Sequence, residues 1–117
     1  MKTIYIFHPY TDKNKKNIIK NIKNVKQYAI HLYKQGNIQL FTHGIFGIQN
    51  ETKKMRKKIL DFCCKLIVNC DEVHILLNKN NTISVGMKQE REYAKQNDIK
   101  IQYIKKIKNN YSQVNLC

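Results

Sequence analysis

The sequence predicts a single Rossmann-like, flavodoxin-like α/β domain, with a four-to-five-stranded parallel sheet flanked by helices on both faces. Two observations predict this fold. Short β-branched and aromatic segments alternate four times with longer segments whose apolar residues recur at helical spacing. No hairpin signal stands between successive strands, which favours parallel strands joined by crossover helices. A length of 117 residues fits one domain.

The first half of the chain supplies two strands and a long helix. A strand is predicted over residues 3–7, and Pro9, the only proline, forces the loop that follows it. A helix is predicted over about 14–35, with Gly36 placed to cap it and a second strand over 37–41. The apolar stripe of this helix consists of Ile18, Ile22, Val25, Ala29 and Leu32.

The second half repeats the pattern. Helices are predicted over about 51–68 and 84–96, and strands over 72–77 and 100–104. We therefore place the α/β domain at 1–104 and treat 105–117 as a separate tail. The tail is polar with scattered apolar residues, and its pattern fits a short helix, an arm against a neighbouring subunit, or disorder.

Charge and cysteine content exclude some classes of function. The net charge of +14 comes almost entirely from lysine, and the fork of arginine is the usual reader of phosphates and guanine edges. We therefore disfavour nucleic acid as a partner. The four cysteines lack metal-ligand spacing, so we expect buried thiols, no metal and no cofactor. With no spanning segment or signal peptide, we expect a protein of the cytoplasm, in a bacterium or a phage-infected host, without membrane contact.

The most informative stretch begins the helix after the third strand. Ser84 is a suitable N-cap, and Met87, Glu90 and Ala94 follow on the stripe that a helix turns toward its sheet. Glu90 thus stands where an apolar residue is expected, and Gly86 leaves room for a ligand on the same face. A partly buried carboxylate near a helix N-terminus is a candidate for catalysis. The alternative is a glutamate at the edge of the stripe, with its stem packed and its carboxylate in water.

Three predicted loops meet at the carboxyl ends of the strands, where ligands bind in such sheets: 8–12, 42–47 and 78–86. His8 and His43 are candidates there for binding phosphate or a leaving base, and Tyr10 for stacking on a base or lining the sugar. There is no Gly-x-Gly-x-x-Gly motif after the first strand and no P-loop, which disfavours dinucleotide oxidoreductases and NTPases.

Several of these motifs occur together in one known superfamily. They are His8-Pro9-Tyr10 after the first strand, His43 after the second, Cys70-Asp71-Glu72 opening the third, and Ser84-x-Gly86-Met87-x-x-Glu90 opening the next helix. With them, the chain resembles the nucleoside 2-deoxyribosyltransferase superfamily over about residues 3–104. It looks closest to a small branch found in phages and bacteria.

The resemblance implies that Glu90 attacks the anomeric carbon of a 2′-deoxynucleoside and releases the base. The covalent deoxyribosyl-enzyme then passes the sugar to another base or to water. It also implies a small-molecule nucleoside or nucleotide ligand and a homo-oligomer. The substrate-binding residues that we predict are His8, Pro9, Tyr10, His43, Ser84, Gly86 and Met87.

One departure keeps two hypotheses open. Ser84 stands where characterised transferases have an aspartate, and a serine cannot act as a carboxylate general acid. The first hypothesis is an enzyme that cleaves or transfers (deoxy)ribosyl groups at the N-glycosidic bond. The second is a non-catalytic module that senses or sequesters a nucleotide-derived signal, as would suit a phage protein facing nucleotide-signalling defence.

Overall fold

A computed structural model describes residues 1–7, 15–40, 53–77, 85–108 and 110–114 of the chain. These residues form β1 (Thr3–Phe7), α1 (Lys15–Lys34), β2 (Ile38–Leu40), α2 (Lys53–Ile67), β3 (Glu72–Leu76), α3 (Val85–Gln96), β4 (Lys100–Ile107) and β5 (Asn110–Val114). The alternation of strands and helices that the sequence predicts is therefore confirmed, as a mixed α/β domain of Rossmann-like type.

The five strands form one sheet in the order β2-β1-β3-β4-β5. The first four strands are parallel, with Tyr5 paired to both Leu40 and Val73, and Ile75 paired to Tyr103. The chain runs from β1 outward to β2, and from β2 it returns past β1 to β3. The order therefore reverses between β1 and β3, and ligands of doubly wound sheets bind at such a switch point.

The core has two layers, one on each face of the sheet. On one face, α1 packs Val25, Tyr28, Ala29 and Leu32 against Ile4 and its neighbours. On the other face, α2 and α3 cover the alternate strand residues. That second cluster contains Tyr5, Phe7, Cys63, Ile67, Cys70, Val73, Ile75, Leu77, Met87 and Ala94. Side chains that alternate along β1 and β3 thus divide between the two faces, and Tyr5 lies on the same face as α3.

Ile75 belongs to the second cluster and has no exposed surface. We expect Ile75→Ala to lower the free energy of unfolding by about 2–5 kcal/mol, because the truncation leaves a cavity in a close-packed core. Ile30→Ala is the matched control, since Ile30 is 54% exposed on α1 and its truncation leaves no cavity. Urea denaturation of both variants measures the difference, and equal losses would contradict this description of the core.

The fifth strand differs from the parallel sheet that the sequence predicts. β4 continues to Ile107, beyond the predicted end at 104, and β5 returns antiparallel to it, with Ile107 paired to Asn110. The turn contains Lys108 at a φ of 53°, a conformation in which glycine or asparagine is expected. The turn lacks glycine, and its asparagines continue into the mostly polar β5, so the sequence analysis did not predict this hairpin.

None of the described helices is both long and apolar enough to cross a bilayer.

Candidate active site

Glu90 lies on the face of α3 that packs against the sheet. Met87 and Ala94, which share its stripe, are buried in the core cluster, as the helical spacing predicts. The residue as a whole is only partly buried, but its Oε2 atom is buried and has no hydrogen-bond partner among the described residues. Oε2 therefore does not reach water, in contrast to the alternative in which the carboxylate is solvated. A buried acceptor without a donor is costly, and such exceptions in a folded protein call for an explanation.

Tyr5 of β1 contacts this carboxylate from the sheet. Tyr5 is almost fully buried, and its side chain forms a hydrogen bond with Glu90. Burial raises the pKa of Glu90 to about 7, and the hydrogen bond from the Tyr5 hydroxyl opposes that rise by favouring the ionised form. Near neutral pH the carboxylate therefore exists in both protonation states.

Arg91, the residue that follows Glu90 on α3, directs its guanidinium group to other partners. Arg91 Nη1 lies 3.5 Å from the hydroxyl of Tyr103 on β4, and its Nε lies 3.8 Å from Glu92. The principal influences on the pKa of Glu90 are thus burial and the Tyr5 hydrogen bond. One carboxylate oxygen, Oε2, has no hydrogen-bond partner in the part of the chain that the structure describes. Such a group can accept a hydrogen bond from a ligand or attack an electrophilic carbon when ionised.

Cys64 of α2 is the other reactive group near Glu90. Burial raises the pKa of its thiol to about 11, and the negative charges of Glu90 and Asp61 add to the effect. Cys64 therefore remains a thiol at neutral pH, and a thiol is a poor nucleophile and a poor metal ligand. None of the described cysteines is joined in a disulfide. The described residues include no group of three or more potential metal ligands.

The other predicted site residues divide into two groups. His8, Pro9, Tyr10, His43 and Ser84 lie outside the described residues, so their substrate-binding roles stay predictions. Gly86 and Met87 lie in the first turn of α3. Met87 is 4% exposed and belongs to the core cluster beneath Glu90, where it helps to pack the helix on the sheet.

The structure adds Tyr5 to the candidate site, a residue that the sequence reasoning missed. The available signal was the alternation of β1, which places Tyr5 and Phe7 on one face of the sheet. The alternation alone does not show that α3 covers the same face of the sheet as Tyr5. Which helix covers which face depends on the handedness of the crossover connections and not on local residue spacing.

Comparison with known proteins adds a family and a structural relative. A family described as a domain of unknown function, DUF7768, matches residues 2–104. The chain belongs to this family. The structure of this DUF7768 protein is similar to that of the CMP N-glycosidase BcmB from Clostridium botulinum, with a TM-score of 0.57 and 16% sequence identity. The similarity covers 95% of the DUF7768 chain and 75% of the glycosidase chain. Among curated proteins, no sequence matches.

At 16% identity, the likeness to the glycosidase establishes a shared fold. The DUF7768 match ends at residue 104, so β5 lies beyond it, although β5 completes the same sheet.

Proposed function

We propose that the DUF7768 protein cleaves the N-glycosidic bond of a nucleotide, with Glu90 as the nucleophile. The observation that carries the proposal is the Glu90 carboxylate, whose buried Oε2 has no hydrogen-bond partner among the described residues and whose pKa is raised to about 7. The fold of a CMP N-glycosidase supports the class of reaction. The resemblance of the Ser84-x-Gly86-Met87-x-x-Glu90 motif to the deoxyribosyltransferases supports the role of the glutamate.

The chemistry follows that of a retaining glycosidase. The ionised Glu90 forms a bond to C1′ of the sugar, while the base leaves with the electron pair of the N-glycosidic bond and takes up a proton. Water then attacks C1′, the ester bond to Glu90 breaks, and the free sugar phosphate leaves. Transfer to a second base in place of water would give exchange instead of hydrolysis. Tyr5 holds the carboxylate by its hydrogen bond, which keeps the carboxylate oxygens in one position.

The proposal includes a 5′-phosphate on the substrate. Ser84 directly precedes α3, a helix of 12 residues whose first amides lack partners within the helix. Amides and the dipole at a helix N-terminus favour an anion, and a neutral serine does not repel a phosphate as an aspartate would. The net charge of +14 also favours the approach of anionic ligands.

The test is a substrate panel followed by liquid chromatography. Nucleosides, 2′-deoxynucleosides and their 5′-monophosphates, including CMP, are each incubated with the protein, and release of the free base is measured. We expect base release from one or more monophosphates, and slower or no release from the matching nucleosides. Failure to release any base from the whole panel would contradict the enzymatic proposal. Faster release from nucleosides than from their monophosphates would contradict the proposal that the substrate carries a 5′-phosphate.

The alternative is a non-catalytic module that binds a nucleotide-derived signal. The specific observation in its favour is Ser84, which removes the carboxylate that transferases carry at this position. Calorimetric titration with nucleotides distinguishes the two functions. Binding that is unchanged in Glu90→Gln, without any turnover by wild type, would favour the binding module.

A homo-oligomer is a separate prediction. It rests on the resemblance to the transferase superfamily, in which a neighbouring subunit often completes the site. Light scattering should give a mass that is a multiple of the 13.9 kDa protomer. A mass of one protomer at micromolar concentration would refute this prediction, and the role proposed for Glu90 would be unaffected.

A further inference from the structure

A second cluster of buried titratable groups lies on the opposite face of the sheet from Glu90. The hydroxyl of Tyr28 on α1 lies 2.6 Å from Nδ1 of His74 on β3, and Nε2 of His74 lies 3.5 Å from Oε2 of Glu72. All three residues are buried, with exposed fractions of 2%, 6% and 5%. We call Tyr28, His74 and Glu72 the buried triad. It takes no part in the chemistry proposed for Glu90.

The direction of the hydrogen bond between Tyr28 and His74 depends on which ring nitrogen of neutral His74 carries the proton. Nε2 is buried and makes no hydrogen bond with a described residue, and Oε2 of Glu72 lies 3.5 Å from it. A proton on Nε2 faces this carboxylate, and in that tautomer Nδ1 is the acceptor to which the Tyr28 hydroxyl donates. The outer oxygen of Glu72 is held by Gln102 Nε2 at 3.2 Å, Lys100 Nζ at 3.2 Å and Lys2 Nζ at 3.5 Å.

One end of the buried triad contacts β5 directly, and the other end is connected to β5 through Gln102 of β4. The ring of Tyr28 packs edge-on against Tyr111 of β5, with ring centroids 4.8 Å apart. At the other end, Gln102, which holds Glu72, accepts a hydrogen bond from Gln113 of β5. The contacts thus form a closed ring through α1, β3, β4 and β5. A further bond from Lys106 to Gln27, at 2.9 Å, joins β4 to α1.

We propose that the buried triad is an acid-sensitive latch, which holds the β4–β5 hairpin against α1 while His74 is neutral and releases it when His74 is protonated. A protonated imidazole has no acceptor nitrogen, so Tyr28 loses the acceptor for its hydroxyl proton. The new positive charge is also buried. β5 is the element that yields first, because it is an edge strand with one pairing partner and mostly exposed side chains.

Burial and the nearby charges favour the neutral form of His74 in the folded protein. Burial lowers the pKa of His74, and the positive charges of Lys100 and Lys2 lower it further, whereas Glu72 opposes the shift without reversing it. The titratable groups that contact or act on His74 are Tyr28 on α1, Glu72 on β3, Lys2 before β1 and Lys100 on β4. Further titratable groups lie around Tyr28: His31 on α1 and Tyr111 on β5 contact its ring, and Lys106 on β4 lies over the ring of Tyr111.

The sign of the pH dependence follows from linkage. The pKa of His74 is lower in the folded protein than the ordinary value of 6.5, so the latch is fully effective above pH 6.5. As the pH falls from 6.5 toward the folded pKa, the open state takes up a proton that the closed state does not bind. The opening equilibrium constant of the hairpin should therefore rise by up to about tenfold per pH unit.

Hydrogen exchange of the wild-type protein tests the proposal directly. Protection factors of the β5 amides, residues 110–114, are measured between pH 7.5 and 5 and compared with those of β1. We expect β5 protection to fall below pH 6.5, while β1 protection changes less. In His74→Gln, which cannot take up a proton, β5 protection should stay constant over the same range. His31→Gln is the matched control, since His31 also contacts Tyr111 and should leave the wild-type response intact.

Two results would overturn the proposal. One is constant β5 protection in the wild type from pH 7.5 to 5. The other is a pH response that His31→Gln removes and His74→Gln leaves intact. Should His74→Gln fail to fold, imidazole ¹⁵N shifts of the wild type decide the matter. The latch requires Nδ1 to be unprotonated at pH 7.5, and requires His74 to titrate below pH 6.5 together with the loss of β5 protection. An Nδ1 proton at pH 7.5, or loss of β5 protection while His74 stays neutral, would rule it out.

Discussion

Replacing Glu90 with glutamine should lower kcat/KM for base release by roughly three orders of magnitude or more, as expected for loss of a catalytic nucleophile. The amide keeps the size of the side chain but cannot form the ester bond to C1′. The substitution also removes a carboxylate whose burial raises its pKa to about 7. The measurement is base release from the best monophosphate of the panel, by wild type and variant side by side.

Stability provides a control within the same variant. The folded pKa of Glu90 lies above its ordinary value of 4.5, so folding favours the protonated form. The stability that this contributes is complete below pH 4.5 and is lost as the pH rises through 7. At pH 8, Glu90→Gln should therefore be more stable than the wild type, by on the order of 2 to 3 kcal/mol. An inactive variant with a raised melting temperature cannot owe its inactivity to misfolding.

Glu92→Gln is the matched control for position on α3. Glu92 lies two residues further along the helix, its side chain is 56% exposed, and it pairs with Lys95 at 3.6 Å in water. Its replacement should leave both activity and stability almost unchanged, because surface ion pairs contribute little. If Glu90→Gln retained wild-type base release, or if Glu92→Gln lost it, Glu90 would not be the nucleophile.

The sequence was sufficient to predict the parallel part of the fold, and the reason is physical. Strands β1 and β3 are buried on both faces, so β1 is apolar or β-branched throughout, and β3 is apolar apart from Glu72 and His74. The stripes of α1 and α2 repeat at helical spacing. β5 was not predicted, because an edge strand with one exposed face needs few apolar residues. Its stabilising contacts, such as Tyr111 with Tyr28, depend on a residue 83 positions away, which no local pattern reveals.

The candidate site was predictable in one part only. The stripe of α3 identified Glu90 as a charged residue on the inner face, and the structure confirms that placement. The partner Tyr5 was missed because its relation to Glu90 comes from tertiary packing of α3 on β1. The same holds for His74, whose burial follows from strand alternation but whose contact with Tyr28 requires α1 to lie on that face.

The pH dependence of catalysis should show an acid limb centred near pH 7, and Tyr5→Phe should move it upward. Only the ionised Glu90 is a nucleophile, so kcat/KM should fall about tenfold per pH unit below the pKa of about 7. The phenylalanine keeps the ring in the core and removes the hydroxyl that stabilises the carboxylate. A hydrogen bond to a charged group is worth about 1.5–3 kcal/mol, so the limb should shift by roughly one to two pH units.

The comparison between wild type and Tyr5→Phe also distinguishes the ionisation of Glu90 from that of the substrate phosphate. A 5′-phosphate loses its second proton near pH 6, which contributes a limb of its own, but that limb is the same for both proteins. The shift caused by Tyr5→Phe therefore belongs to the enzyme. A limb near pH 4.5 that does not move in Tyr5→Phe would mean that the carboxylate acts from water. In that case neither burial nor the Tyr5 hydrogen bond would govern the chemistry, and the assignment of Glu90 as a buried nucleophile would fail.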